Sequence, residues 1–505
     1  MSSRIADEPK DVGIVHSGLV VLDGVALGVP DVVRLADGTA RPVPGTDATR
    51  RMTEVWDAAR QIAATGRVYG RSTGVGANRN EDVPTEAAAE HGLRLLRSHA
   101  GAIGEELPAR EVRAMLAVRA NQLLAGGAGL RPTVVTALCE ALESGAHPVV
   151  NEFGSVGTGD LAALAQVGLA LVGEHPWRGD GAPEPQPLDN NDALALISSN
   201  ALTLGQSALA LHELRGLIEA TQVVAALSLL AVDGSHEAYA APVHAARPHR
   251  GSTEVARRMR ELIGAEDRPT PPLGRIQDPY GFRCLPQIHG PAHDAADALE
   301  AVLDVEINAA AENPLISPDD FAAYHHGGFY QAQLALALDH FRLALTQVAR
   351  LSTSRLSTLN EPAYTRLRPF LADDQPASSG VMILEYAAAA ALGDLRAFSA
   401  PASLGHAVLS RGVEEQASFA SLAARQTLRA CAAYRLVVGC ELVAAVRALR
   451  QRELRPEPGL PAGRALELAE AVLGAEQADR PLTDDVRAAA RLLDRFTDIW
   501  RGSGA

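Results

Sequence analysis

The sequence predicts a mainly α protein, a bundle of long helices with a smaller mixed region at its N-terminal end. Three observations predict it. Apolar residues recur at three- and four-residue spacing through much of the chain after Asp47, the period of one helix face. Strand-like, β-branched runs concentrate in 17–38. Aromatic residues are only 4% of the 505, so the core is expected to be built from Leu, Val and Ala. Several units are expected at this length. The pattern divides into a mixed N-terminal region over 1–200, a central long-helix bundle over 201–450 and a helical tail over 451–505.

In chain order, Leu19-Val20-Val21-Leu22 and Val32-Val33-Arg34-Leu35 read as short strands bounded by Gly and Pro. Val55, Ala58, Ala59 and Ile62 then mark a helix that ends before Gly66. A glycine-rich loop follows over 69–76, and helical sequence resumes to about Leu124. Residues 179–191 hold three prolines and read as an exposed connection. The run 206–232 is apolar and longer than the ~20 residues that span a bilayer. Gln206, His212, Glu213, Arg215, Glu219 and Gln222 interrupt it, which favours a helix buried in a bundle. Leu334, Leu338, Phe341, Leu345 and Val348 form one core stripe of a long helix over 331–351, and 420–450 looks similar.

The formal charge is −15, from 46 basic and 61 acidic residues. Such a surface repels phosphate backbones and anionic lipid, so neither nucleic acid nor membrane is expected as a partner. The four cysteines are dispersed without a CxxC, which argues against a disulfide framework or zinc site and for a reducing cytoplasm. The first ten residues are polar and lack the apolar core of a signal peptide. The histidines show no i, i+4 ligand pair with an acidic base, so no metal is expected.

Four stretches interrupt the helical pattern with chemistry. In 69–76, glycines flank Tyr69 in a loop mobile enough to carry a phenol over a ligand, though alone it reads as a helix connection. Gly154-Ser-Val-Gly-Thr-Gly-Asp160 precedes an apolar helix and resembles an anion nest, but lacks the Lys of a phosphate loop. Residues 277–289 pack Gln277, Tyr280, Arg283 and His289 just before a helix, a density of donors that suits a ligand site. Glu414-Glu415, on a helix-like stretch, would in isolation be a solvated face.

In this order and at these separations, the four stretches resemble the histidine/phenylalanine ammonia-lyase family of aromatic amino acid lyases, from about Asp11 to near Arg450. Supporting pieces are Ser98-His99, Arg119-Ala-Asn121, Arg247-Pro-His249, Glu306-Ile-Asn308, Glu312-Asn-Pro314 and Ser379-Gly-Val-Met382. The resemblance implies an α-helical homotetramer whose sites each draw on three subunits. It also implies elimination of ammonia from an aromatic or imidazole amino acid, or transfer of the nitrogen by an aminomutase. The substrate is a small molecule and no external cofactor is used. The electrophile is 4-methylidene-imidazole-5-one, made from an internal Ala-Ser-Gly.

By that resemblance Tyr69 is the base, its pKa of about 10 needing to be lowered by positive charge or hydrogen bonds. Arg283 holds the substrate carboxylate through two hydrogen bonds. Gln277 and Tyr280 complete a polar wall, Glu414 faces the amine or ring, His99 with Ser98 recognises the ring, and Phe329 or Tyr330 lines the pocket.

The family's Gly-Ser-Val-Gly-Ala-Ser-Gly-Asp-Leu stands here as Gly154-Ser-Val-Gly-Thr-Gly-Asp-Leu161, one residue shorter and without the dehydrating serine. Either Gly157-Thr158-Gly159, followed by Asp160, still cyclises with Thr158 losing water, or no prosthetic group forms. The shortened turn weighs toward the second. A Leu-Asn-Gly-Thr-like segment appears as Ile197-Ser-Ser-Asn200, so Asn200 acts from a shifted position or Ser198 replaces it. Three functions follow: an ammonia-lyase or aminomutase; an enzyme without the prosthetic group performing another elimination, isomerisation or conjugate addition in specialised metabolism; or a non-catalytic binding scaffold.

Overall fold

The computed structural model describes residues 18–270, 275–457 and 459–501, so the polar N-terminal segment lies outside the described residues. Contacts group the chain into two compact units. One comprises Met1–Leu209, Val302–Ala335 and Ser403–Leu422, the other Ala210–Ala301, Leu336–Ala402 and Ala423–Ala505.

In the first unit, strand Leu19–Leu22 pairs in parallel with Arg41–Pro44, joined by helix Val29–Ala36. Residues 32–35, expected as a second strand, therefore lie in a helix. Pro30 and Asp31 occupy its first turn, and Val29, Val32, Val33 and Ala36 fall on one buried face at i, i+3, i+4 and i+7. The helical period and start signal outweigh the strand preference of the valines. Helix Thr46–Thr65 buries Val55, Ala59 and Ile62 and stops at Gly66, as its spacing implies. Helix Leu161–Leu171 is buried along nearly its whole length, directly behind the glycine-rich segment.

The scattered motif pieces pair with one another here. Arg119 lies 2.8 Å from Glu312, both fully buried. Its other nitrogens donate to the carbonyls of Leu196 and Ala195. Asn121 donates to Asn308 Oδ1 at 2.9 Å. These pieces are scaffold: Arg119 fixes the chain just before Ser198.

Helix Ala332–Leu359 realises the expected stripe, with Leu334, Leu338, Phe341, Leu345 and Val348 all fully buried. The span Ala193–Ala231 is long and apolar enough to cross a membrane by length and composition, but 78% of its apolar window is buried inside the protein. Two of its polar interruptions, Arg215 and Glu219, have partners within the second unit. Arg215 bridges Asp297 and Glu300, and Glu219 meets Arg258. Deeper in that unit, Arg355 and Glu441 form a buried bidentate pair at 2.6 and 2.8 Å. Ser228 and Ser352 donate to the same carboxylate.

Candidate active site

A cavity of about 830 Å³ opens in the first unit. It gathers Tyr69, His99, Thr158, Gly159, Ser198, Phe329, Tyr330 and Glu414 from six separate parts of the sequence. Both Phe329 and Tyr330 line it, which removes the choice between them. Arg79, Asn313, His325, Glu415 and Gln416 also line the wall.

The Tyr69 loop, whose glycines suggested mobility, is pinned at several points. Ser72 Oγ accepts from the Val68 N–H at 2.8 Å and donates to the Gly66 carbonyl. Arg71 is buried and donates to the carbonyls of Ala128 and Gly129, and burial brings its guanidinium down to about 10. Gly70 has φ +70°, and a Cβ there would fall 2.1 Å from Leu194 Cδ2, so only glycine fits. The Tyr69 hydroxyl oxygen accepts from the Gly76 N–H at 2.7 Å. His325 stands edge-on to its ring, 6.3 Å between centroids. Burial, and then the Glu414 carboxylate, raise the phenol above its ordinary pKa; the Gly76 N–H and Arg79 oppose them.

His99 ends helix Ala88–His99. Its Nδ1 lies 2.9 Å from the Leu95 carbonyl and 3.1 Å from Ser98 Oγ. A carbonyl only accepts, so Nδ1 is the donor, and in the neutral tautomer this bond selects, Nε2 is the nitrogen with the lone pair.

The glycine-rich segment is clamped from two sides. Gly157 and Gly159 have φ of +85° and +113°. A Cβ on Gly157 would fall 2.2 Å from Ser418 Oγ. The Ser418 hydroxyl donates to the Gly157 carbonyl at 2.7 Å. The Gly159 N–H donates to Asn200 Oδ1 at 3.0 Å, and Asn200 Nδ2 donates to the Phe329 carbonyl at 2.7 Å. Asn200 is thus the residue that reaches the segment, while Ser198 accepts from the Asn313 N–H. The buried Asp160 carboxylate turns away from the cavity to the Thr203 N–H and hydroxyl, at 2.8 and 2.9 Å. Burial raises its pKa against those bonds.

Two expectations change. Glu414 lies on no helix: its backbone bridges Leu409 after a tight turn at Ser410–Gly412, where Ser410 and Arg411 have positive φ. Ser410 Oγ in turn accepts from the Ala77 N–H at 3.0 Å, which ties this turn to the Tyr69 loop. Gln277, Tyr280 and Arg283 belong to the second unit and do not line the cavity. There the Arg283 guanidinium stacks 4.4 Å over the Tyr280 ring, and its Nε is buried without a partner. Tyr280 is 64% exposed. Sequence reasoning missed His325, Arg79 and Ser418; the one local signal was His325-His326, shortly before Phe329 and Tyr330. Among the described residues no group of three or more His, Cys, Asp or Glu could hold a metal ion.

The aromatic amino acid lyase family model matches residues 27–472. The chain belongs to that family. It is 33% identical to the histidine ammonia-lyase of Geobacillus kaustophilus (strain HTA426) over 492 residues, covering 94% of this chain and 97% of that one. It is 34% identical to that of Symbiobacterium thermophilum over 488 residues, covering 93% and 96%. Among solved structures, the Treponema denticola ergothionase superposes with a TM-score of 0.88 at 26% identity, over 95% of this chain and 99% of that one. The Trypanosoma cruzi histidine ammonia-lyase gives 0.87 at 27%, over 96% and 94%.

This aromatic amino acid lyase is therefore a carbon–nitrogen lyase, and the electrophile of its family is self-derived. The residues present fit such a group. The Gly157 carbonyl, the carbon a ring-closing amide would attack, already accepts a hydroxyl hydrogen bond. The Gly159 N–H, the attacking amide, already has an acceptor. Thr158 carries the β-hydroxyl that a dehydration would remove, and it lines the cavity.

Proposed function

We propose that the protein eliminates ammonia from histidine or a similar imidazole or aromatic amino acid. The observation that carries this is the single cavity holding Tyr69, His99, Thr158 and Glu414 together. An electrophile formed from 157–159 would supply the activation that turns the substrate amine into a better leaving group. Thr158 and Gly159 would present it to the cavity, backed by Asn200.

Tyr69 takes the β-proton. Its oxygen already accepts the Gly76 N–H, a donor that supports the phenolate as it forms. With burial and Glu414 raising the phenol, the active base fraction is small at neutral pH and grows with alkalinity. His99 offers the Nε2 lone pair to an imidazole N–H of the substrate, while Leu95 fixes its tautomer. Glu414 attracts the substrate ammonium. Phe329 and Tyr330 exclude water from the ring.

The carboxylate anchor is Arg283 from another copy of the chain, with Tyr280 and Gln277 beside it, in a homotetramer. Supporting this, the Arg283 Nε lacks a partner and Tyr280 is exposed in the single chain. A cytoplasmic setting belongs to the same proposal. Incubating purified protein with histidine, tyrosine and phenylalanine tests the function. Ammonia release with growth of ultraviolet absorbance from a conjugated acid is expected, histidine being fastest. No release from any of the three, by protein that has lost two waters from its encoded mass, would refute it.

A further inference from the structure

The clamp around the shortened segment holds each end of the bond that ring closure must make. Ser418 Oγ sits 2.7 Å from the Gly157 carbonyl oxygen, and Asn200 Oδ1 sits 3.0 Å from the Gly159 nitrogen. Ser418 is 5% exposed, Asn200 1%, so both act away from bulk water, where a donor or acceptor polarises its partner most. Ser155 spans the turn from within, accepting from the Gly157 N–H and donating to the Gly159 carbonyl at 3.1 and 3.2 Å.

We propose that Ser418 and Asn200 are the groups that drive this segment to cyclise, the hydroxyl polarising the Gly157 carbonyl and the carboxamide oxygen accepting the Gly159 N–H. This rests on the reading that 157–159 yields the electrophile. The Gly159 nitrogen bonds to the Gly157 carbonyl carbon. The former carbonyl oxygen leaves as water with the protons of the Gly159 and Thr158 amides. The Thr158 hydroxyl then leaves with the Thr158 α-proton as a second water, which gives a Cα=Cβ double bond. No oxidant is needed. Because the residue is threonine, the terminal alkene carbon carries a methyl group that faces the cavity.

Intact mass of freshly purified protein, followed over time, tests the role of each group without any activity assay. Wild type is expected to have lost two waters, and Thr158→Ala at most one. Ser418→Ala is expected to dehydrate on the order of 10²-fold more slowly, the usual loss for one oxyanion donor. Ser421→Ala is the control, because its hydroxyl donates to the neighbouring Ser155 carbonyl at 2.8 Å and not to the reacting one; it should match wild type. Asn200→Leu should stall and Asn200→Asp, which keeps an acceptor oxygen, should proceed. That pair tests the proposal independently if Ser418→Ala fails to fold by circular dichroism. Wild-type pace in Ser418→Ala, or equal slowing in Ser421→Ala, overturns the role while leaving the electrophile intact. Wild type at its encoded mass overturns the electrophile itself.

Discussion

The Tyr69 cavity and the 277–289 segment each carry polar groups that the sequence singles out, yet the folded chain treats them oppositely. Around the cavity the groups that shape it are tied to the same unit: Tyr69 to Gly76, Asn200 to Gly159 and Phe329, Asp160 to Thr203. Around 277–289 the backbone is well held, with Phe282 and Gly281 carbonyls bonded to Tyr239 and Arg355. Its working side chains are not. Arg283 Nε is unpartnered, Tyr280 is 64% exposed and Ile276 93%. One region is tied together side chain by side chain; the other holds its backbone and leaves Tyr280 exposed and Arg283 Nε unpartnered. Density of donors in a sequence therefore does not by itself say which of them share one cavity.

Substitutions sharpen that contrast. Tyr69→Phe is expected to lower kcat by roughly 10²–10⁴-fold, the range for a lost general base, with little change in stability. Glu312→Leu should instead act on the fold. It strands the buried Arg119 charge and should cost about 3–5 kcal/mol in denaturant unfolding. A melting curve indistinguishable from wild type would show the cavity floor does not depend on that pair. Arg283→Met should leave stability unchanged while raising KM, with kcat/KM falling roughly 10- to 100-fold, the worth of a charged hydrogen bond.

The pH dependence separates the two regions again. The Tyr69 phenol lies above its ordinary pKa, and below that pKa each pH unit multiplies the base fraction about tenfold, so kcat/KM should climb through the alkaline range. Arg79 pulls the phenol down, so Arg79→Met should move this limb to higher pH; movement to lower pH would contradict the assignment. The smallest effect is expected at His99→Leu, about tenfold against histidine and less against phenylalanine, the worth of one neutral hydrogen bond.

The core was legible in the sequence because helical spacing leaves a direct trace: the five stripe residues from Leu334 to Val348 are all buried. Val32–Val33 misled because branched side chains favour strands unless a start signal and a one-sided face overrule them. Glu414 misled in the same way, since the turn at 410–412 leaves no periodic mark. Tyr69, His99 and Thr158 were legible through the order of their motifs. Ser418 was not, because its bond to Gly157 joins residues 261 apart, and only the fold brings them together.

The central claim is that Tyr69 of one copy works with Arg283 of another. Co-expressing the Tyr69→Phe and Arg283→Met chains, each impaired on its own, and assaying below the raised KM tests it most directly. Random assembly should regenerate intact sites, about one in four, and restore activity in that proportion. Mixed oligomers that form but stay as impaired as either parent would contradict it.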